Sequence, residues 1–305
     1  MIQIQNIKKS FPSTVALAGI SLEIRKQEFF GLLGPNGAGK TTFMHLLVGY
    51  LNPDSGKIII DGDVVTQSNL AIRRKIGFVP QSLALYDELS AQENLEIFGG
   101  LFDTPKAVLK TRIREQLEAV GLDERRKDKV NTFSGGMKRR LNLIASLLHD
   151  PIVLLCDEPT VGVDPQSRNA IFEYLIRLNQ EGKTIIYTTH YMEEAERLCS
   201  RIGIIDQGKI IANGSLDELF ELFPYEELIL ITKNPSTTKC RTFFEKFGTC
   251  VEVDDHFELK PSKGFILSHF FAHVEEQGIS YRWIELHKPT LEELFLTLTG
   301  RSLRD

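Results

Sequence analysis

The sequence contains no apolar run that approaches the roughly 18 residues needed to cross a bilayer. It also lacks the apolar segment of a signal peptide at its start. Its four cysteines are scattered, with no CxxC pair and no histidine cluster at metal spacing. A disulfide framework is therefore not expected, and we expect buried, reduced thiols in a cytoplasmic protein.

An excess of positive charge is missing as well. The net charge of −5 gives no general attraction to nucleic acid, which is not expected as a partner. The content of 42% hydrophobic and 25% charged residues is ordinary for a soluble globular protein. At 305 residues, the chain can form one large domain and a smaller one.

One stretch has a specific chemical meaning. Residues 34–42 match the pattern G-x-x-x-x-G-K-[ST] and lie between a strand-like apolar run, 29–33, and a helix-like run, 43–48. The pattern in this context predicts a nucleotide-binding loop. Its predicted nucleotide contacts are Gly34, Pro35, Asn36, Gly37, Ala38, Gly39, Lys40, Thr41 and Thr42.

The residue types of this loop suit phosphate binding. Glycines allow the backbone to curl, so that successive N–H groups point at phosphate oxygens. The start of the following helix adds free N–H groups and partial positive charge. Lys40 can reach the β- and γ-phosphates, and the Thr41 hydroxyl can bind Mg²⁺.

Strand-like and helix-like segments alternate up to about residue 215, which predicts an α/β core with a mainly parallel sheet. Residues 1–7 are predicted as a half-buried strand, and Phe11 as part of a short loop. Residues 137–149 are predicted as a helix, and residues 202–211 as a hairpin. We place a nucleotide-binding domain at 1–220, with a helical subdomain at about 85–150.

Composition changes near residues 220–225, and the order βαββαβ that follows is typical of a ferredoxin-like α+β domain. The predicted elements are strand 227–232, helix 236–247, strands 249–253 and 256–260, helix 264–277, strand 279–285 and helix 290–299. We find no catalytic motif there. Residues 225–305 are therefore predicted as a second, smaller domain.

Two carboxylates follow the apolar run 152–156. Asp157 at the tip of the predicted strand can hold Mg²⁺ beside Thr41. Glu158 can accept a proton from, or orient, the water that attacks the γ-phosphate. A solvated acidic loop is the alternative for the pair alone, but its presence together with the phosphate loop favours catalysis.

The segment 133–137, Phe-Ser-Gly-Gly-Met, resembles the LSGGQ signature of the ABC ATPases, with Phe133 replacing Leu and Met137 replacing Gln. Physically, Ser134 and the helix start can form a second anion site, although an ordinary helix N-cap is the alternative. In the family, this loop faces the γ-phosphate held by the other subunit. The resemblance implies that ATP is bound by Ser134, Gly135 and Gly136 in a homodimer, or a heterodimer with a second ABC ATPase.

Further positions match motifs of the same family. Gln81 resembles the Q-loop glutamine that contacts Mg²⁺, Asp164 the D-loop aspartate at the dimer interface, and His190 the switch histidine. Phe11 stands where the family stacks an aromatic ring on adenine, with a core aromatic as the alternative. The resemblance thus implies catalysis by Glu158, His190, Lys40 and Gln81, and a Mg²⁺ site of Thr41, Gln81 and Asp157.

The closing segment, residues 288–301, resembles that of the daunorubicin-resistance and sodium-exporter ATPases of the ABC-2 class. The resemblance implies a P-loop NTPase fold and an ATP-hydrolysing exporter subunit on the cytoplasmic face of the membrane. It would drive a separate polytopic permease, with a C-terminal domain for regulation or dimerisation. The alternative is a soluble ABC ATPase in translation, DNA repair or a motility complex. The sequence does not identify the transported substrate.

Overall fold

The computed structural model describes residues 1–221, 228–287 and 290–300. The chain forms two compact units, which we call the core unit, Met1–Leu219 with Phe295–Asp305, and the C-terminal unit, Phe220–Leu294. Most of the predicted boundary region 220–225 and part of the closing segment 288–301 lie outside the described residues. No helix in the described ranges is long and apolar enough to span a membrane.

The strands of the core unit form two sheets. They are β1 (Ile2–Phe11), β2 (Thr14–Ile24), β3 (Phe29–Leu33), β4 (Ser55–Ile60), β5 (Asp63–Val64), β6 (Ile76–Val79), β7 (Val153–Asp157), β8 (Thr184–Thr189), β9 (Arg201–Asp206) and β10 (Lys209–Gly214). An antiparallel sheet has the order β2-β1-β4-β5, and a second sheet has the order β10-β9-β3-β8-β7-β6. All neighbours in the second sheet are parallel except the β9–β10 hairpin, which confirms the predicted α/β core.

The helices of the core unit lie between or after these strands along the chain. They are α1 (Lys40–Leu47), α2 (Leu70–Arg73), α3 (Ala91–Gly100), α4 (Lys106–Ala119), α5 (Gly135–Ala145), α6 (Pro165–Gln180), α7 (Met192–Leu198) and α8 (Leu216–Glu221). Phe43 and Met44 of α1 belong to one apolar cluster with residues of both sheets. Between β6 and β7 the chain forms α3, α4 and α5, in the region predicted to be helical.

The parallel sheet places polar residues at one edge. All residues of β3, β7 and β8 are buried, as expected for parallel strands covered on both faces. Because these strands run in the same direction, their carboxyl ends meet at the same edge, where ligands bind in open α/β sheets. The phosphate loop follows β3, Glu158 follows β7, and His190 follows β8.

The C-terminal unit has the predicted ferredoxin-like arrangement. Its strands and helices, together with the last helix of the chain, are β11 (Leu228–Thr232), α9 (Pro235–Lys239), α10 (Arg241–Phe244), β12 (Gly248–Val253), β13 (His256–Pro261), α11 (Leu267–Glu276), β14 (Ile284–His287) and α12 (Leu291–Thr299). The strand order β12-β13-β11-β14 is antiparallel throughout. Phe244, Phe257 and Phe270 are buried in its apolar core.

Several predicted boundaries are wrong. Phe11 is not in a loop but is the last residue of β1, where it pairs with Thr14 of β2. The helix predicted at 137–149 begins at Gly135, because the Ser134 side chain caps it, and ends at Ala145.

Two errors fall in the C-terminal unit. The helix predicted at 236–247 is divided into α9 and α10, because Cys240 has a non-helical backbone between them. The strand predicted at 279–285 is displaced: residues 281–283 form a 3₁₀ turn, and β14 begins only at Ile284.

Candidate functional site

The phosphate loop fits closely against neighbouring backbone. Gly39 caps α1 with a φ of 109°, and a Cβ there would lie 2.6 Å from the carbonyl oxygen of Ala16. A Cβ on Gly34 would lie 2.3 Å from the carbonyl oxygen of Ile205. A side chain at either position would clash with backbone that cannot simply rotate away, so glycine is required by the fold itself.

Lys40 connects this loop to the end of β7. Its ammonium group donates to the carbonyl oxygens of Gly34, at 2.7 Å, and Pro35, at 3.0 Å. It also lies 2.9 Å from Oε1 of Glu158, and both side chains are about 5% exposed. Lys40 and Glu158 therefore form a buried ion pair at the carboxyl edge of the sheet.

Glu158 is the centre of the cluster. Its Oε2 accepts a hydrogen bond from Nε2 of Gln81 at 3.2 Å and lies 3.2 Å from Nδ1 of His190. Its φ of 44° is unusual for a residue other than glycine. The backbone N–H is held by the carbonyl and hydroxyl oxygens of Thr188, at 3.2 and 3.0 Å. The structure thus brings together Lys40, Gln81, Glu158 and His190.

Asp157 and Thr41 are predicted as Mg²⁺ ligands, and both carry side-chain oxygens at the ends of elements near this edge: Asp157 ends β7, and Thr41 lies in the first turn of α1. Asp157 is buried, and its Oδ1 accepts a hydrogen bond from the Thr188 hydroxyl at 2.7 Å, whereas Thr41 is exposed in the first turn of α1. The described residues contain no group of three or more His, Cys, Asp or Glu side chains that could hold a metal ion by themselves. One carboxylate with hydroxyl and amide oxygens fits Mg²⁺, which commonly takes its other ligands from substrate phosphates.

Ser134 and Asp164 belong to a second cluster. The Ser134 hydroxyl accepts from the N–H of Met137 at 3.3 Å, so Ser134 is the N-cap of α5, which agrees with the alternative interpretation. A Cβ on Gly136 would lie 2.1 Å from Oγ of Ser167, which shows how closely α5 approaches the start of α6. Asp164 caps α6 by accepting from the Ser167 N–H at 2.9 Å, and this hydrogen bond lowers the pKa of Asp164.

The two clusters are separate within the described part of the chain. No hydrogen bond or ion pair among those residues joins Ser134 or Asp164 to Lys40 or Glu158. Both Ser134 and Asp164 are exposed. The structure therefore does not bring them into contact with the Glu158 cluster of the same chain.

Phe11 lies apart from both clusters, at the end of the first hairpin. Its ring is 42% exposed, and the Lys9 ammonium lies 6.0 Å from the ring centroid. The alternative that Phe11 is a core aromatic is therefore wrong. Its exposure makes the side chain accessible to a ligand.

The sequence interpretation missed a buried acid behind the site. Glu194 is 2% exposed and accepts hydrogen bonds from the hydroxyls of Thr160 (2.8 Å), Tyr187 (2.9 Å) and Thr189 (2.8 Å). Burial and the nearby Glu194 carboxylate raise the pKa of Tyr187 well above its usual value, which keeps its hydroxyl a donor. One signal was available, because Glu194 shares the buried face of α7 with Ala195 and Leu198.

The buried ion pair predicts an effect on stability. Lys40→Met should lower the free energy of unfolding of the nucleotide-free protein by about 3–5 kcal/mol, because Glu158 would remain buried without its cation. Adding Glu158→Gln should recover much of this loss. Urea unfolding of the two variants and the wild type measures the difference.

The exposed pair Arg114–Glu118 provides the control, since its side chains are 78% and 48% exposed. Arg114→Met should leave the unfolding curve almost unchanged. Equal unfolding free energies for Lys40→Met and the double variant would contradict the importance of the pair.

Comparison with known proteins places this geometry in a family. Residues 17–161 match the family model described as ABC transporter. The chain is 44% identical to the linearmycin resistance ATP-binding protein LnrL of Bacillus subtilis (strain 168), over the full length of both proteins. It is 36% identical to the Nod factor export ATP-binding protein I of Ralstonia nicotianae, covering all of this chain and 95% of that protein. The daunorubicin resistance ATP-binding protein DrrA3 of Streptomyces coeruleorubidus is 35% identical, with 99% and 97% covered.

Solved structures agree with this assignment. An ATP-binding subunit of an ABC transporter superposes with a TM-score of 0.67 at 27% identity, covering 73% of this chain and 93% of that one. A dimeric ATP-binding cassette in a post-hydrolysis state, bound to ADP and Pi, gives 0.65 at 28% identity, with 71% and 99% covered. The export and resistance relatives do not favour a soluble ABC ATPase of translation or repair. The chain belongs to the ABC transporter family and is an ATP-binding, ATP-hydrolysing subunit of an exporter.

Proposed function

We propose that two copies of the core unit hydrolyse ATP between them and thereby drive export through a separate membrane permease. The observation that carries the proposal is the cluster around Glu158. One carboxylate at the end of a buried strand contacts Lys40, Gln81 and His190, which come from three other segments of the same sheet edge. This is the arrangement that positioned attack of water on a phosphate requires.

Lys40 and Glu158 would change partners when ATP binds. The phosphate oxygens would draw the Lys40 ammonium group from Glu158, while the backbone N–H groups of residues 34–39 and the start of α1 bind the phosphates. Glu158 would then accept a proton from the attacking water, oriented by Gln81 and His190. Mg²⁺, held by Thr41, Asp157 and Gln81, would neutralise charge on the phosphates. Phe11 would stack on the adenine.

The second cluster supports a dimer. Ser134, Gly135 and Asp164 are exposed and stand apart from Lys40 in their own chain, so they are available to the nucleotide of another copy. The Ser134 hydroxyl and the N–H groups at the start of α5 offer an anion site. A head-to-tail pair would complete two sites at once, in keeping with the dimeric cassette to which the chain is similar.

Glu158→Gln tests the catalytic assignment. We expect ATP binding to persist and the hydrolysis rate to fall by about 10²–10⁴-fold, because the amide cannot accept the proton. Size-exclusion chromatography should show an ATP-dependent dimer that persists in this variant. Glu193→Gln, an exposed acid on α7, is the matched control and should behave as wild type. Undiminished hydrolysis by Glu158→Gln would contradict the proposal.

A cavity next to Gln81 supports docking of the permease. It has a volume of about 230 Å³ and lies between Phe78 and Pro80 on one side and Phe98 and Leu101 on the other. The buried Nδ2 of Asn142, which also lines it, has no hydrogen-bond partner among the described residues. Exposed apolar side chains surround the region: Leu83, Tyr86, Ile97 and Leu101. An apolar segment of the permease would fit this cavity and hold the subunit at the cytoplasmic face of the membrane.

Leu101→Asp tests this surface, because Leu101 is 70% exposed and can change without loss of core packing. We expect the amount of polytopic membrane protein that co-purifies in mild detergent to fall by about tenfold or more. Val64→Asp, at an exposed apolar residue of β5 that does not line the cavity, is the control. Membrane protein that co-purifies equally with both variants would exclude this surface, and its absence from the wild type would argue against the exporter assembly.

The C-terminal unit is proposed to regulate or dimerise the ATPase. Support comes from its own apolar core and the absence of any recognised catalytic motif in its sequence. Truncation after Glu221, at the end of α8, keeps the fully buried Leu219 but also removes Phe295 and the residues after it, which belong to the core unit, so the thermal stability of the variant must be measured as well. We expect weaker ATP-dependent dimerisation or altered coupled activity, measured by size-exclusion chromatography and ATPase assays. Unchanged dimerisation and activity, in a variant with normal thermal stability, would remove this role.

A further inference from the structure

Arg139 on α5 contacts two catalytic segments at once. One terminal guanidinium nitrogen donates to the carbonyl oxygen of Gln81, and the other donates to the carbonyl oxygen of Val161 at 3.2 Å. The side chain is half-buried, and burial lowers the pKa of its guanidinium group. Both acceptors are uncharged carbonyl oxygens, so the guanidinium group donates two hydrogen bonds and forms no ion pair with any residue that the structure describes.

Both residues that accept hydrogen bonds from Arg139 are themselves hydrogen-bonded to Glu158. The side chain of Gln81 donates to Oε2 of Glu158 at 3.2 Å. The N–H of Val161 donates to the carbonyl oxygen of Glu158 at 3.4 Å. Hydrogen bonds therefore connect four residues in a closed ring: Arg139, Gln81, Glu158 and Val161. Arg139 is the member of this ring that belongs to α5. The ring fixes both the backbone and the carboxylate of Glu158.

The same helix holds the Gln81 segment a second time. One turn after Arg139, the Oδ1 of Asn142 accepts a hydrogen bond from the N–H of Ala84 at 3.2 Å. The chain from Gln81 to Ala84 is thus attached to α5 at two backbone positions. Among the hydrogen bonds of the described residues, the one from Arg139 to Val161 extends the attachment to the loop that follows Glu158.

We propose that Arg139 is a positioning residue for ATP hydrolysis, which keeps Gln81 and the loop after Glu158 in register with α5. The proposal rests on the catalytic role of Glu158 given above. Arg139 contacts neither the phosphate loop nor Lys40 in the described structure, so it acts through Gln81 and Val161 and not on the nucleotide. Because Ser134 caps the start of α5, movement of this helix when a dimer closes would be transmitted to Glu158.

Arg139→Lys tests whether the two simultaneous hydrogen bonds of the guanidinium group are needed. Lysine keeps the positive charge and most of the apolar stem, but its single nitrogen cannot match two acceptors in the fixed geometry of a planar guanidinium. We expect kcat for ATP to fall by about ten- to hundredfold, with the KM and the affinity for a fluorescent ATP analogue with Mg²⁺ unchanged within about twofold. Arg112→Lys is the matched control, since Arg112 donates to the carbonyl of Leu148 at 3.0 Å and is outside the ring.

A double-mutant cycle with Gln81→Ala distinguishes an effect of Arg139 on the position of Gln81 from an effect on the stability of the whole fold. If Arg139 acts through Gln81, adding Arg139→Lys to Gln81→Ala should lower kcat much less than it does in the wild type. Independent effects, a kcat equal to wild type, or a similar loss in Arg112→Lys would overturn the inference. So would a lowered thermal midpoint together with a raised KM, because that pattern indicates a structural role. Failure of the catalytic assignment is distinguished by Glu158→Gln, which would then retain wild-type hydrolysis.

Discussion

The carboxylate of Glu158 constrains the surrounding structure because it is almost removed from water. A buried charge is costly unless opposite charge and hydrogen-bond donors compensate it. Here Lys40 lies 2.9 Å from one oxygen, while Gln81 and His190 lie 3.2 Å from the other. Each compensating group comes from a different segment, so the carboxylate is satisfied only when these segments are held in register.

Pairing between the strands of the parallel sheet holds these segments in register. β7 lies between β6 and β8, with Asp157 opposite Thr188 and Cys156 opposite Val79. This alignment puts the Thr188 hydroxyl within reach of both the Asp157 carboxylate and the Glu158 N–H. A shift of one residue would turn the apolar side chains of β7 to the opposite face and remove both contacts. The apolar residues of β7 therefore fix the geometry of the site through the strand register, although they are not themselves site residues.

Local signals explain what could be predicted from the sequence. The phosphate loop, the two carboxylates at the end of β7 and the βαββαβ order all depend on short patterns and periodicity. Features that depend on contacts between residues far apart in the sequence became visible only in the structure. Arg139 reaches a carbonyl 58 residues away, and Glu194 accepts from Thr160, 34 residues away. Phe11 is a different case, because its place in the strand depends on a local contact: Thr14, only three residues away, pairs with it across the hairpin.

The loop after Glu158 needs such distant contacts because it lies beyond the ladder hydrogen bonds of the sheet. Glu194 holds it at Thr160 and also binds Thr189, next to His190, whereas Arg139 holds it at Val161 and also binds Gln81. The side chains of Glu194 and Arg139 thus anchor two adjacent residues of this loop, and each of them also binds a second segment of the site. The loop ends at Asp164, which caps α6 close to Gly136 of α5. Glu158 therefore lies only six residues before Asp164 of the exposed second cluster, and both Glu194 and Arg139 anchor this short segment.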